Sequence, residues 1–349
     1  MHRHLRSFLE VLRREDEIIE IDAAVDPHLE LAEIHRRVIA ANGPALIFRN
    51  VTGAKFPLVT NLYGSAKRVE LAFGHGGRDF LTRLVHVAET AVPPTLGKLW
   101  GARDVPKRLL RVGMKRRSRG PVTEVVDRSA NFDALPIITS WPEDGGPFLT
   151  LPLVYTEHPV DGRHNLGIYR MQKHGPRSLG VHWQIHKGGG YHLYEAEQLD
   201  RPLPVTVFLG GPPALTAAAI APLPENVGEL LLASLLVGEK LKLVENSNSP
   251  HPLIAEAEMA LVGHVTPHER KPEGPFGDHY GYYSLRHDYP VFHLDAICHR
   301  RDAIVPATVV GKPRQEDFYL GDFLQELLSP LFPLVMPAVK KLWSYGETG

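Results

Sequence analysis

The chain has 349 residues, 43% of them hydrophobic and 23% charged, with a formal net charge of -1. That is enough length and apolar content for two packed cores, which excludes a disordered chain, and the balanced charge excludes a basic field that would draw the protein to nucleic acid or anionic lipid. The single cysteine, Cys298, excludes an intrachain disulfide framework and a cysteine-rich metal site, and it suits a reducing cytoplasm.

Leu5, Phe8, Leu9 and Leu12 recur at helical spacing, and the segment 17–22 (EIIEID) reads as a strand after them. The N-terminus shows no apolar leader before that first helix, so a secreted protein is not expected. Asp26 and Pro27 match an N-cap and first helical residue; Leu31, Ile34, Val38 and Ile39 then form a buried stripe, stopped by Asn42 and Gly43. Residues 45–51 (ALIFRNV) form the next predicted strand, and the alternation of helix and strand to about residue 115 predicts a mixed α/β domain.

The basic, glycine-broken stretch 107–120 marks a predicted domain boundary; its cations read as a solvated linker rather than a nucleic-acid patch. From 121 to about 315 the chain turns to short β-rich runs at 149–158, 204–211 and 290–300, separated by Gly, Pro and Asn. Helices are expected near 213–220 and 225–237, inside a barrel or sandwich. The longest apolar run, 229–238, is well short of the roughly 20 residues that cross a bilayer and reads as a buried helix.

Three segments concentrate chemistry. In 165–172 (NLGIYRMQ), a half-buried strand accounts for much of the pattern, but Arg170 within a strand calls for an anionic partner. In 181–190 (VHWQIHKGGG), His182, Gln184 and His186 share a face if extended, and the two His share one if helical, so either geometry permits a metal. Lys187 and the three glycines at 188–190 suit a phosphate approached by backbone N–H groups. In 273–283 (EGPFGDHYGYY), Glu273 and Asp278 are five residues apart, so only a loop, which Gly274, Pro275 and Gly277 supply, can bring them together. Two carboxylates converging near an arginine make an acid/base device. Glu258, among apolar neighbours in 253–263, is a carboxylate that needs a partner if buried.

In this order, the patterns NxGxYRxQ, H(K/R)GG and EGP(F/Y)GDHxGYY resemble the UbiD decarboxylase family, as do 141–152 (WPEDGGPFLTLP) and 221–226 (APLPEN). The resemblance runs from near residue 1 to 349. It implies an N-terminal α/β domain (1–120), a split β-barrel that binds prenylated FMN (121–315) and the start of a C-terminal region (316–349). By the same resemblance, Asn165, His186 and Glu258 match ligands of a divalent metal, usually manganese, with K+ as a further ion. Ile168, Tyr169, Arg170, His182, Trp183, Gln184, Lys187 and Gly188 match cofactor contacts. Arg170, Glu273 and Asp278 match the catalytic network, with Asp278 as proton donor. The implied activity is reversible decarboxylation of an aromatic or α,β-unsaturated acid, of hydroxybenzoate or naphthoate type as in quinone biosynthesis, through a covalent adduct with the flavin. The implied setting is a cytoplasmic homo-oligomer supplied with cofactor by a flavin prenyltransferase. Family members usually continue beyond the ending 340–349 (KKLWSYGETG), which reads as an interrupted loop and a shortened C-terminal region. Two competing readings are a non-catalytic flavin-binding or partner subunit, and a flavin-free metal hydrolase using His182, His186 and Glu258.

Overall fold

The computed structural model describes residues 2–90, 103–184, 188–223, 227–331 and 338–339. Helix α1 (Leu5–Arg14) opens at His4, whose ring accepts a hydrogen bond from the Ser7 N–H, and it buries the four predicted residues Leu5, Phe8, Leu9 and Leu12. Strand β1 (Ile18–Val25) follows. Helix α2 (Glu30–Ala40) starts three residues later than Asp26 and Pro27 suggest, because His28 first bridges to Thr139 and Leu29 takes a φ of 67°. Its buried face is consequently Leu31, Ala32, His35 and Ile39, with Ile34 and Val38 only partly covered. Strand β2 (Ala45–Val51) lies parallel to β1, and β3 (Leu58–Thr60) runs antiparallel to β2. Helix α3 (Ala66–Phe73), capped by the Ser65 hydroxyl, leads into α4 (Gly76–Thr90) and, further on, α5 (Asp104–Leu109).

The central region begins at β4 (Met114–Arg117) and β5 (Val125–Asp127), then β6 (Phe148–Leu149), β7 (Leu153–Glu157), β8 (His164–Ile168), β9 (Met171–Gly175) and β10 (Ser178–Val181). Helix α6 (Gly188–Gln198), strand β11 (Leu203–Leu209) and helices α7 (Pro213–Ile220) and α8 (Glu229–Val237) come next. The chain continues through β12 (Leu241–Val244), β13 (Leu253–Ile254), the long pair β14 (Met259–Glu273) and β15 (His287–His299), the short β16 (Val305–Pro306) and α9 (Glu316–Leu328). The mixed α/β class and the helices near 213–220 and 225–237 follow the sequence. The principal sheet runs β6-β9-β10-β15-β14-β11-β7-β8 with β5 on β15, and among the described residues this ladder is open rather than closed on itself.

The core is continuous across residue 120: Phe8, Ile47 and Phe73 share one apolar cluster with Leu151, Phe208, Leu215 and Val262. A polar node also lies inside it. Arg68, 1% exposed, donates to the Glu17 carboxylate, the Gly43 carbonyl and the Asn61 side chain, so its charge is balanced where water does not reach. The ending 340–349 lies outside the described residues.

Candidate functional site

Arg170 sits in the short connection between β8 and β9, where it leaves the sheet and turns towards the end of β14. Its Nε donates to Glu273 Oε1 at 2.8 Å and its Nη2 reaches Oε2 at 3.3 Å, which supplies the anionic partner that an arginine at this place requires. His182, just past β10, puts Nδ1 3.0 Å from Glu273 Oε2 and lays its ring against Tyr289, with centroids 4.4 Å apart. Glu273 is fully buried. Burial pushes its carboxyl up, but the hydrogen bonds from His182 and Arg170 and the Arg170 charge outweigh that and hold it below the ordinary range. Sequence reasoning had His182 as a cofactor contact and missed its pairing with Glu273, since residues 91 apart reveal no such contact by spacing.

The turn after Glu273 is fastened at several points. Gln172 donates to the Gly145 carbonyl and accepts from the Gly274 N–H, both at 2.7 Å, and Asp144 accepts from the Gly277 N–H at 2.8 Å. Ser284 receives Arg170 Nη2 at 3.1 Å and accepts from the Phe276 N–H. The Arg170 guanidinium also lies over the Phe276 ring, 4.5 Å from its centroid. Gly277 is required by close approach, because a Cβ there would fall 2.2 Å from the Trp141 ring. The expected convergence of both carboxylates on Arg170 divides in two: Glu273 meets Arg170, whereas Asp278 pairs with its neighbour His279.

His279 belongs to the wall of a cavity of about 480 Å3, within the usual range for small-molecule sites. Ile168, Leu151, Leu320, Leu324 and Tyr63 make most of that wall apolar, and Glu316 and Asp317 at the start of α9 add acidic groups. Glu316 accepts from the Asn61 and Tyr63 N–H groups; burial still pushes its carboxyl above the ordinary range. A second cavity, of about 810 Å3, is lined by Trp183, Gln184, Gly190, Arg270 and Tyr289. Of the expected cofactor contacts, Ile168 lines the first cavity and Trp183 and Gln184 line the second.

Around Asn165 the backbone is tightly drawn in. The side chain donates to Tyr169 Oη at 3.3 Å, and a Cβ on Gly188 would fall 2.1 Å from Asn165 Oδ1; on Gly189 it would strike the Trp183 ring at 2.6 Å. Only glycines let the first turn of α6 reach so close, leaving its N–H groups beside a ring nitrogen of Trp183 that is buried without a partner. Tyr169 is pushed up by burial. Lys187 and His186 lie outside the described residues.

Glu258 is not part of this cluster. Its carboxylate, fully buried, accepts from Arg6 Nε at 3.1 Å, Arg6 Nη2 at 2.9 Å and the Ile304 N–H at 3.0 Å, with Arg300 nearby. Asn165 is level with Gly263 through the β8–β7–β11–β14 registers. Glu258 is therefore five residues further along and three strands across, roughly 20 Å away at standard strand spacings. The assignment of Glu258 as a metal ligand is corrected on that ground: an arginine already neutralises it, and Asn165 is out of reach. The hydrolase reading loses its carboxylate with it.

The carboxylate beside Asn165 is instead Glu229. At the first turn of α8 it accepts from the Leu166 N–H at 3.2 Å, and no cation faces it among the described residues. Burial pushes its carboxyl up, and only backbone N–H groups oppose this. The sequence contained a usable signal: Gly228 stands directly before an apolar helical run, which makes Glu229 the acidic residue of its first turn. Among the described residues no three His, Cys, Asp or Glu side chains cluster as a metal site. An amide oxygen and an unneutralised carboxylate at one place do, however, suit a hard divalent ion.

Comparisons with known proteins identify the family. The family profile for the 3-octaprenyl-4-hydroxybenzoate carboxy-lyase Rift-related domain matches residues 114–313, and that for the N-terminal domain of the same lyase matches residues 9–88. A relative from Chlamydia pneumoniae, named as one subunit of a 4-hydroxybenzoate decarboxylase, is 54% identical over 345 residues, covering 99% of this chain and 59% of its own length. The chain thus spans about three-fifths of that relative. Among solved structures, an evolved dimeric form of the UbiD-class enzyme HmfF from Pelotomaculum thermopropionicum in complex with prFMN is 26% identical. It covers 97% of this chain and 75% of its own, with a TM-score of 0.80. The vanillic acid decarboxylase of Sedimentibacter hydroxybenzoicus in closed form is also 26% identical, covers 97% and 70%, and has a TM-score of 0.83. With both profiles matched in order and the glycine-lined turn, the Arg170–Glu273 pair and the 273–283 loop in one place, the chain belongs to the UbiD family.

Proposed function

We propose that this chain carries the cofactor and substrate sites of a prenylated-FMN-dependent carboxy-lyase acting on an aromatic or conjugated acid. The Arg170–Glu273–His182 cluster, its carboxylate fully buried between two half-buried cationic partners, carries the reading. Loss of CO2 leaves an electron pair on carbon, and prenylated FMN, when bound, supplies the electron sink for it. The close glycine turn at 188–190 and the unpartnered Trp183 ring nitrogen suit a phosphorylated flavin.

The chain's own groups orient and protonate. Arg170, paired on one side with Glu273, holds the substrate carboxylate in register. Glu273, held ionised by Arg170 and His182, keeps that guanidinium in place and is a poor acid near neutral pH. Asp278, part-exposed and outside that ion pair, delivers the proton to the carbon that lost CO2. Asn165 and Glu229, with His186, hold the divalent ion, manganese or magnesium by the hardness of its oxygen donors. Leu151, Ile168, Leu320 and Leu324 exclude water from the ring of the acid. Hydroxybenzoate- and naphthoate-like acids fit the cavity's size and apolar wall, and the setting is cytoplasmic.

The test is expression with a flavin prenyltransferase, followed by absorbance of the purified protein and a screen of aromatic acids for CO2 release and ring-proton exchange. Flavin absorbance with turnover is expected. Protein that acquires no flavin under these conditions removes the reading. The relative from Chlamydia pneumoniae is named as part of a multi-chain decarboxylase, which favours one second reading, a flavin-binding chain that works with a partner. Flavin without turnover, restored by a second chain, would be its mark.

A further inference from the structure

Asp278 and His279 form a pair whose geometry is more specific than two neighbours in a turn require. The Asp278 Oδ1 atom accepts from the His279 N–H at 2.7 Å and stands 2.5 Å from His279 Nδ1. Among the described residues Asp278 Oδ2 has no hydrogen-bond partner. The imidazole lies against the Tyr280 ring, tilted by 39° with centroids 4.0 Å apart, and its Nε2 is buried without a partner while the side chain lines the 480 Å3 cavity. The turn that presents them is tied down at both ends, by Asp278 N–H to the Tyr282 carbonyl and Gly281 N–H to the Asp278 carbonyl. Asp317 faces the pair from α9 across the same cavity, whose wall Glu316 also joins, and the Lys312 side chain lies against Gly281 of the same turn.

Resting on the function proposed above, we propose that His279 is the positioning residue for Asp278: its Nδ1–H and its backbone N–H both bind Oδ1 and so direct the acid proton to Oδ2. Two donors on one carboxyl oxygen leave its partner as the better place for the proton, since a proton on Oδ1 would compete with N–H groups already aimed at it. The imidazole tautomer follows: Nδ1 carries the hydrogen and Nε2 is bare. Carboxyl rotation, which would otherwise exchange the two oxygens, is then opposed, and Oδ2 is kept towards the reacting carbon.

Two measurements test this. In the flavin-free protein, long-range 15N–1H correlation of the His279 ring at neutral pH is expected to show the Nδ1–H tautomer, and Asp278→Ala is expected to shift it towards Nε2–H. An Nε2–H ring in the wild type, or a tautomer indifferent to Asp278→Ala, overturns the proposal whether or not the chain decarboxylates anything. In the flavin-loaded protein, His279→Ala is expected to lower kcat about 100-fold with KM little changed, the scale of loss from a misplaced reacting group. His279→Asn, whose side-chain amide can still donate where Nδ1 did, is expected to recover most of it. Equal losses in the two variants, or a change confined to KM, overturn it as well. A wild type that takes up no flavin and stays inactive removes the decarboxylase reading separately and leaves the ring measurement to decide the pairing.

Discussion

Replacing Glu258 by Gln separates the two roles that a buried carboxylate in this chain can play. In the fold it is fully buried and receives two Arg6 nitrogens and the Ile304 N–H. Glutamine would leave the Arg6 charge, only 23% exposed, against a neutral amide. Removing one partner of a buried ion pair costs on the order of 3–5 kcal/mol; Asp302, 3.1 Å from Arg6 Nη1, retains part of the pairing and argues for the lower end. With a urea dependence of about 3 kcal/mol per M, a loss of roughly 3 kcal/mol moves the unfolding midpoint down by about 1 M. Equilibrium urea unfolding followed by circular dichroism reads this directly, and manganese binding is measured on the same samples by calorimetry. The expected pattern is an early-unfolding Glu258→Gln protein that binds manganese as the wild type does, and a Glu229→Gln protein that unfolds normally and binds it poorly. A Glu258→Gln variant with an unchanged midpoint and no manganese binding would refute the reassignment.

Asp278→Asn is expected to abolish proton delivery and turnover while flavin absorbance persists; loss of the flavin together with turnover contradicts its role as donor. Gly188→Ala forces a methyl within 2.1 Å of Asn165 Oδ1, so manganese affinity should fall about tenfold, as when the support of a ligand is lost, in a protein that still folds; unchanged affinity in calorimetry counts against Asn165 as a ligand. His35 is completely buried, and burial pulls its ring from 6.5 down to about 4, against the opposing hydrogen bond that its Nε2–H donates to Gln315 Oε1. Its unfolded form therefore takes up a proton before the folded form does, so stability present above pH 6.5 is lost as pH falls towards 4, by about 3 kcal/mol at most. His35→Gln should flatten the urea midpoint against pH in that window, and an unchanged slope would show that other groups set it.

The regular elements were largely legible because apolar spacing reports directly on burial. Leu5, Phe8, Leu9 and Leu12 face the core as their period requires. The helix at α2 was out of phase because the chain spends His28 and Leu29 on a bridge to Thr139, a contact 111 residues distant that no local pattern carries. The need of Arg170 for an anion was readable, and the UbiD motifs named Glu273 as its neighbour in the network. The carboxylate beside Asn165 was not. Glu258 and Glu229 both stand among apolar residues, and choosing between them depends on strand registers that place one beside Arg6 and the other beside Leu166. His182 was ambiguous for the same reason, since its partner lies on a strand far along the chain.

The two-residue strand at Val305–Pro306 pairs in parallel with Leu58–Val59 after the whole central region has been traversed. The first sheet therefore has no finished border until the chain has returned to it from some 245 residues away. A fragment ending near residue 120 would expose that border as an unpaired template for other chains, and it should associate rather than remain monomeric. Synthesis from the N-terminus meets the same condition: the first sheet must wait, partly open, for a segment made much later, and closing so long a loop is a slow event in folding.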